Sequence, residues 1–172
     1  QQTQIAMDQA SGKYLQYIQG DEALHEDDLI HIKRSVEEME VSPEIDGLVF
    51  KYHHFFGNTD IVKQTKKTYR QEVRLVRNGE GIKSWGDAQG FRYENNTKIN
   101  CMYTDATVYH YGWARAEQVM AKKTEAFEKL YHGEKKKVDN FEYSRVWGLR
   151  PFYGSHPKVM TDWITSHKNN ID

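Results

Sequence analysis

Apolar residues recur along this chain in two rhythms, one close to the 3.6-residue turn of a helix and one of period two. In Gln1–Gln9, Ile5, Ala6 and Gln9 stand at helical spacing, and Ser11-Gly12 is a helix stop. Tyr14-Leu15-Gln16-Tyr17-Ile18 reads as a strand that ends at Gln19-Gly20-Asp21-Glu22. From Glu26 to Met39 the spacing predicts a helix with Leu29, Ile32, Val36 and Met39 on one face and acidic residues in its first turn, where they suit the helix dipole. Helix, strand, acidic loop and helix in that order predict an α/β fold, in which sites lie beyond the carboxyl ends of strands.

Leu48–Tyr52 predicts a strand running into His53-His54-Phe55-Phe56, and Tyr69–Arg77 alternates, with Val73 and Leu75 on one face and Arg70, Glu72 and Arg74 on the other. Asn78-Gly79 is a turn signal, which makes Ile82–Trp85 the returning strand. Ile99–Tyr103 and Ala106–His110 read as two further strands. Between Ala116 and Tyr131 the residues Val119, Met120, Phe127, Leu130 and Tyr131 trace a helical stripe that Gly133 ends. Pro157–His167 is a helix with proline at its first turn. No linker or repeat divides the chain, so 1–172 reads as a single domain, with about 114–172 a helical, aromatic-rich extension.

Composition changes this picture in two ways. Hydrophobic residues make up 38% of the 172 residues and aromatic ones 13%, so the core must lean on rings. Lys and Arg total 24 against 25 Asp and Glu, a net charge of -1 that gives no general attraction to nucleic acid. The single Cys101 excludes an internal disulfide and a Cys-based zinc site, and a reducing compartment is the default. No apolar run approaches the ~20 residues needed to span a bilayer. A first residue that is not Met, inside a helix-like segment, reads as a piece of a longer protein.

Three places carry candidate chemistry. Asp21 and Glu22 follow a strand, with His25 and Glu26 close behind, and hard carboxylate oxygens there can hold Mg²⁺ or Mn²⁺; the same residues also suit a helix-capping loop. His110 ends a strand and precedes Tyr111-Gly112-Trp113, where an imidazole can complete a cation site and a ring beside glycine can stack on a sugar; a structural histidine is the alternative. Asp87, between Gly86 and Gly90, can serve as a general base or simply form a turn. His53 and His54 are adjacent and point to opposite faces of a strand, which reads them as structural. Lys135–Lys137 reads as solvated surface.

Taken together, Tyr17–Glu26 (YIQGDEALHE), Tyr69–Asn78 (YRQEVRLVRN), Asp87–Arg92 (DAQGFR), Val108–Trp113 (VYHYGW) and Gly154–Pro157 (GSHP) resemble a bacterial branch of the family 2 glycosyltransferases. The resemblance implies a partial GT-A fold: a Rossmann-like mixed sheet flanked by helices, followed by a helical C-terminal extension. It implies sugar transfer from a nucleotide-sugar donor to the hydroxyl of a saccharide or lipid-linked acceptor, in bacterial polysaccharide or glycoconjugate synthesis. The N-terminal nucleotide-binding half is expected elsewhere in the same protein, so that this portion alone is inactive and exposes sheet edge which that half would cover.

The family's DXD motif falls on Gln19-Gly20-Asp21, with Gln in place of the first Asp, so the resemblance makes Asp21 and His110 ligands of a divalent cation. Glu22 beside them would compensate for the missing Asp and contribute to substrate binding. Asp87 takes the place of the base in an inverting transfer, and Trp85, Arg92, Tyr111 and Trp113 would shape the sugar and acceptor site; Arg92 can equally pair with a carboxylate for structural reasons. The expected location is cytoplasmic, with peripheral association at the inner face of the membrane. The alternative from another class is a non-catalytic carbohydrate-binding or interaction module on the same scaffold.

Overall fold

The two rhythms resolve into helices and strands in the computed structural model, which describes residues 2–66, 68–86, 90–132 and 141–167. In chain order the first elements are α1 (Gln2–Gln9), β1 (Tyr14–Gln16), β2 (Glu22–Leu24), α2 (Leu29–Val41), β3 (Gly47–Phe56), β4 (Ile61–Lys63) and β5 (Gln71–Arg77). They are followed by β6 (Ile82–Trp85), β7 (Gly90–Tyr93), β8 (Cys101–Trp113), α3 (Glu117–His132), β9 (Leu149–Pro151) and α4 (Thr161–His167). The architecture is α/β. The strands divide between two compact units: Gln1–Gly20, Leu24–Tyr52 and Tyr69–Val108 form the first, and Asp21–Ala23, His53–Thr68 and Tyr109–Asp172 the second.

In the first unit β5 pairs antiparallel with β1 (Leu15 opposite Val76) and with β3 (Leu48 opposite Leu75). Period-two burial puts Leu48, Phe50 and Tyr52 of β3 into a core with Leu75, Ala106 and Val108, and α2 lays Met39 on it, flanked by Ile32 and Val36. Leu29 departs from the predicted stripe and is 55% exposed, because the buried face of α2 is centred on Ile32, Ser35, Val36 and Met39. Ser35 is buried there and hydrogen bonds to Thr104 at 3.0 Å. Gly47 is dictated by close approach: a Cβ would lie 2.7 Å from the Leu75 carbonyl oxygen.

Three expectations are corrected in this unit. Ile82–Trp85 does not return along β5; past Gly79 and Gly81, both at positive φ, the chain swings wide and β6 forms a separate two-stranded sheet with β7, Ile82 opposite Tyr93. The two strands read at 99–110 are one strand, β8. Thr104 and Asp105, between the two runs, are accommodated inside it, Thr104 by Ser35 and Asp105 by an ion pair with Lys51 at 2.9 Å. Arg74, expected on an outer face, is 2% exposed, with its guanidinium 4.9 Å from the Tyr17 ring and 5.2 Å from the Tyr52 ring. A delocalised, weakly hydrated cation tolerates such burial between π faces better than an ammonium would.

The second unit is built on rings. Phe55 on β3 stacks on Tyr111 of β8 with centroids 4.7 Å apart, and Phe152 meets Phe55 edge-on at 5.0 Å. Val62 of β4, Ala114 and Ile164 of α4 complete the core. β4 pairs antiparallel with β3 (Phe55 opposite Val62) and with β9 (Val62 opposite Arg150). Gly154-Ser155-His156-Pro157 anchors the tail here, since His156 Nδ1 bonds to the Tyr111 hydroxyl at 2.8 Å and the imidazole packs on Phe55. The helix predicted at 157–167 is a short 3-10 turn, Lys158–Met160, leading into α4. Gly133 and Lys135–Lys137 lie outside the described residues.

Candidate functional site

The site is built in the second unit from a turn, a strand and a helix. Asp21 lies immediately before β2, and its carbonyl accepts the Tyr111 N–H at 2.8 Å, which ties this turn to β8. On β8 the alternation of side chains sends His110 and Gly112 to one face and Tyr111 to the other. His110 Nε2 thereby comes 3.5 Å from Asp21 Oδ2. Gly112 keeps the space between them open: a Cβ there would overlap Asp21 Oδ2 and come within 2.7 Å of His110 Nε2.

From α3, Lys123 reaches into the same place. Its Nζ donates to the Gly112 carbonyl at 2.8 Å and stands 3.9 Å from Asp21 Oδ2 and 5.1 Å from the Trp113 ring centroid. Hydrogen bonding to His110 holds the Asp21 carboxyl below the usual carboxylate range, against the opposing effect of partial burial, and the Lys123 ammonium acts in the same direction as the hydrogen bond. Burial lowers the Lys123 ammonium from its usual range, with Asp21 opposing that shift. The site thus joins an ionised carboxylate, an imidazole and a partly desolvated lysine around a bare glycine.

His110 is itself held from behind. It is 5% exposed, as is His54 on β3, and the two Nδ1 atoms lie 3.0 Å apart. The pairing joins residues 56 positions apart, which no local pattern in the sequence reveals. Lys123 was missed for a different reason: the helical stripe at 119–131 was read only for its apolar members, although a lysine at 123, between Met120 and Phe127, falls on the same helical face.

The other expected residues have different settings. Glu22 is buried on β2 at 9% exposure, while Asp21 beside it is half-buried. Tyr111 is 2% exposed and its ring belongs to the aromatic core, so it offers no sugar platform. Trp113 is half-buried and stacks on Phe56 at 5.6 Å. Trp85 and Arg92 belong to the first unit, where they sit on the β6–β7 hairpin with the guanidinium 4.3 Å from the indole centroid. Asp87 lies outside the described residues. His25 caps the short 3-10 helix Glu26–Asp28, accepting the Asp27 N–H on its Nδ1 at 3.1 Å.

A divalent cation fits the Asp21 and His110 pair. Two neighbouring ligands of an octahedral ion at about 2.1 Å lie about 3 Å apart, close to the separation of Oδ2 and Nε2, and carboxylate oxygen with imidazole nitrogen suits Mn²⁺. Among the described residues no group of three or more His, Cys, Asp or Glu side chains is placed to hold a metal ion, so the remaining positions would fall to a bound ligand and water. Among the same residues no helix is long and apolar enough to cross a membrane. No protein-family model matches the sequence, and comparison with curated proteins returns no match.

Proposed function

We propose that this chain is the cation- and acceptor-side portion of a glycosyltransferase that uses a nucleotide-sugar donor. The observation that carries the reading is the convergence of Asp21 Oδ2 and His110 Nε2 across the open space at Gly112, with Lys123 beside them. A carboxylate and an imidazole leave most of a cation's coordination positions for diphosphate oxygens, and a lysine nearby adds positive charge where a leaving diphosphate gathers negative charge. A bound Mn²⁺ or Mg²⁺ would supply Lewis-acid neutralisation of that group.

The protein's own residues have defined parts in this proposal. Asp21 and His110 hold the cation, Lys123 meets a diphosphate oxygen, and the Trp113 ring packs beside that lysine. The test is titration of Mn²⁺ into this chain, followed by the loss of the free-ion electron paramagnetic resonance signal, with and without a nucleoside diphosphate. Binding that the diphosphate tightens, and that Asp21→Ala and His110→Ala each weaken by roughly 10-fold or more, is the expected result. Equal binding by the wild type and both variants would overturn the reading.

A further inference from the structure

We infer that His54 is a positioning residue for His110, holding that imidazole through a single proton shared between the two Nδ1 atoms so that Nε2 stays directed at Asp21. Its functional weight rests on the cation reading of Asp21 and His110, while its geometry stands apart from that reading. The rings meet with centroids 5.0 Å apart and planes at 77°, and the Nδ1 atoms are 3.0 Å apart, a normal hydrogen-bond length. Both histidines are 5% exposed.

Burial makes the contact selective. Two bare Nδ1 atoms would set lone pair against lone pair where water has little access, and two protonated ones would set N–H against N–H. Only one proton between them satisfies both rings, so the tautomer of one histidine dictates that of the other. When the proton is on His110 Nδ1, the His110 Nε2 lone pair is available on the Asp21 side; when it is on His54 Nδ1, His110 Nε2 carries hydrogen and donates to the Asp21 carboxylate. In both arrangements the bond to His54 fixes the plane of the His110 ring, which the single bond to Asp21 at 3.5 Å cannot do alone. Partners behind a metal-binding histidine commonly act in this way.

The adjacent histidine supplies an internal contrast. His53 points to the opposite face of β3, with its ring against Tyr109 at 5.4 Å and Phe152 at 5.3 Å. His53 therefore faces away from His110, so the two neighbours predict different responses of cation binding to substitution.

Two measurements test the inference. In the cation-free chain, two-bond ¹H–¹⁵N correlation spectra should show complementary neutral tautomers, one of the pair protonated at Nδ1 and the other at Nε2; finding both rings protonated at Nε2 would overturn it. Mn²⁺ affinity of His54→Phe should fall roughly 10–100-fold, while His54→Asn, whose amide can donate or accept, should stay within about 3-fold of wild type. His53→Phe should leave the affinity unchanged. Near-UV circular dichroism identifies variants that fail to fold, and unchanged affinity in a folded His54→Phe would overturn the inference. If the wild type binds no Mn²⁺, the cation reading fails, and the tautomer spectra still decide the role of His54.

Discussion

The two compact units handle buried polar groups in opposite ways. In the first, such groups close on fixed structure: Asp46 accepts from the Tyr93 hydroxyl at 2.6 Å and the Asn100 N–H at 2.7 Å, Ser35 meets Thr104, and the half-buried Arg77 caps the carbonyls of Met39, Ile45 and Ser42. In the second, the buried pair His54 and His110 ends on a half-buried carboxylate and a lysine beside a glycine that leaves space. The first arrangement secures the packing of a sheet. The second keeps polar atoms directed at a place where a ligand can complete them.

Two glycines offer the sharpest way to break that contrast. Gly47→Ala pushes a Cβ against the Leu75 backbone carbonyl, which cannot move without disturbing β5, so chemical denaturation should show a loss of about 1–3 kcal/mol or more. Gly112→Ala pushes hardest against the end of the Asp21 side chain, which is half-buried and can swing away, and less closely against His110 Nε2. Its stability cost should be smaller, while Mn²⁺ binding is lost. Equal destabilisation by the two substitutions, with binding retained in Gly112→Ala, would erase the distinction between the units.

The next effect in size is that of Asp46→Ala, which leaves the Tyr93 hydroxyl and the Asn100 N–H without their acceptor and should cost about 1–3 kcal/mol with no change in cation affinity. Tyr93 also gives a pH signature. Its hydrogen bond to Asp46, followed by burial, raises the hydroxyl pKa from 10.0 to about 12. The neutral phenol is the favoured form in the fold, so its contribution is complete below pH 10 and is lost as the pH rises from about 10 to about 12. Tyr93→Phe should remove that alkaline limb from a stability profile. The smallest effect belongs to Trp85→Ala, which ends an exposed cation–π contact with Arg92 worth about 0.5–1 kcal/mol.

The helices α1, α2 and α3 were legible in the sequence because amphipathic periodicity is a local signal, and so was most of β3. The three-residue strands β2, β4 and β9 were not, because their partners lie far along the chain and three residues carry no period. Arg74 was misread because alternation cannot tell a solvated cation from one enclosed by Tyr17 and Tyr52. Asp21 and His110, singled out from a strand end and a motif, lie 3.5 Å apart in the fold. Tyr111 was mistaken for a platform because its neighbours, not its own type, decide which face of β8 it lines, and His54 was set aside because a tertiary contact alone gives it a partner.

The central claim is that Asp21 and His110 together hold a cation that receives a diphosphate. Its most direct test is the melting temperature of this chain with Mn²⁺ and a nucleoside diphosphate, since a ligand that binds only the folded state must raise it. At a free ligand concentration of about 100 times Kd the stabilisation is about 2.7 kcal/mol, enough to move the midpoint by several degrees. The account predicts that shift for the wild type and a shift reduced to about half or less for Asp21→Ala. No shift in the wild type, or the same shift in both proteins, would contradict it.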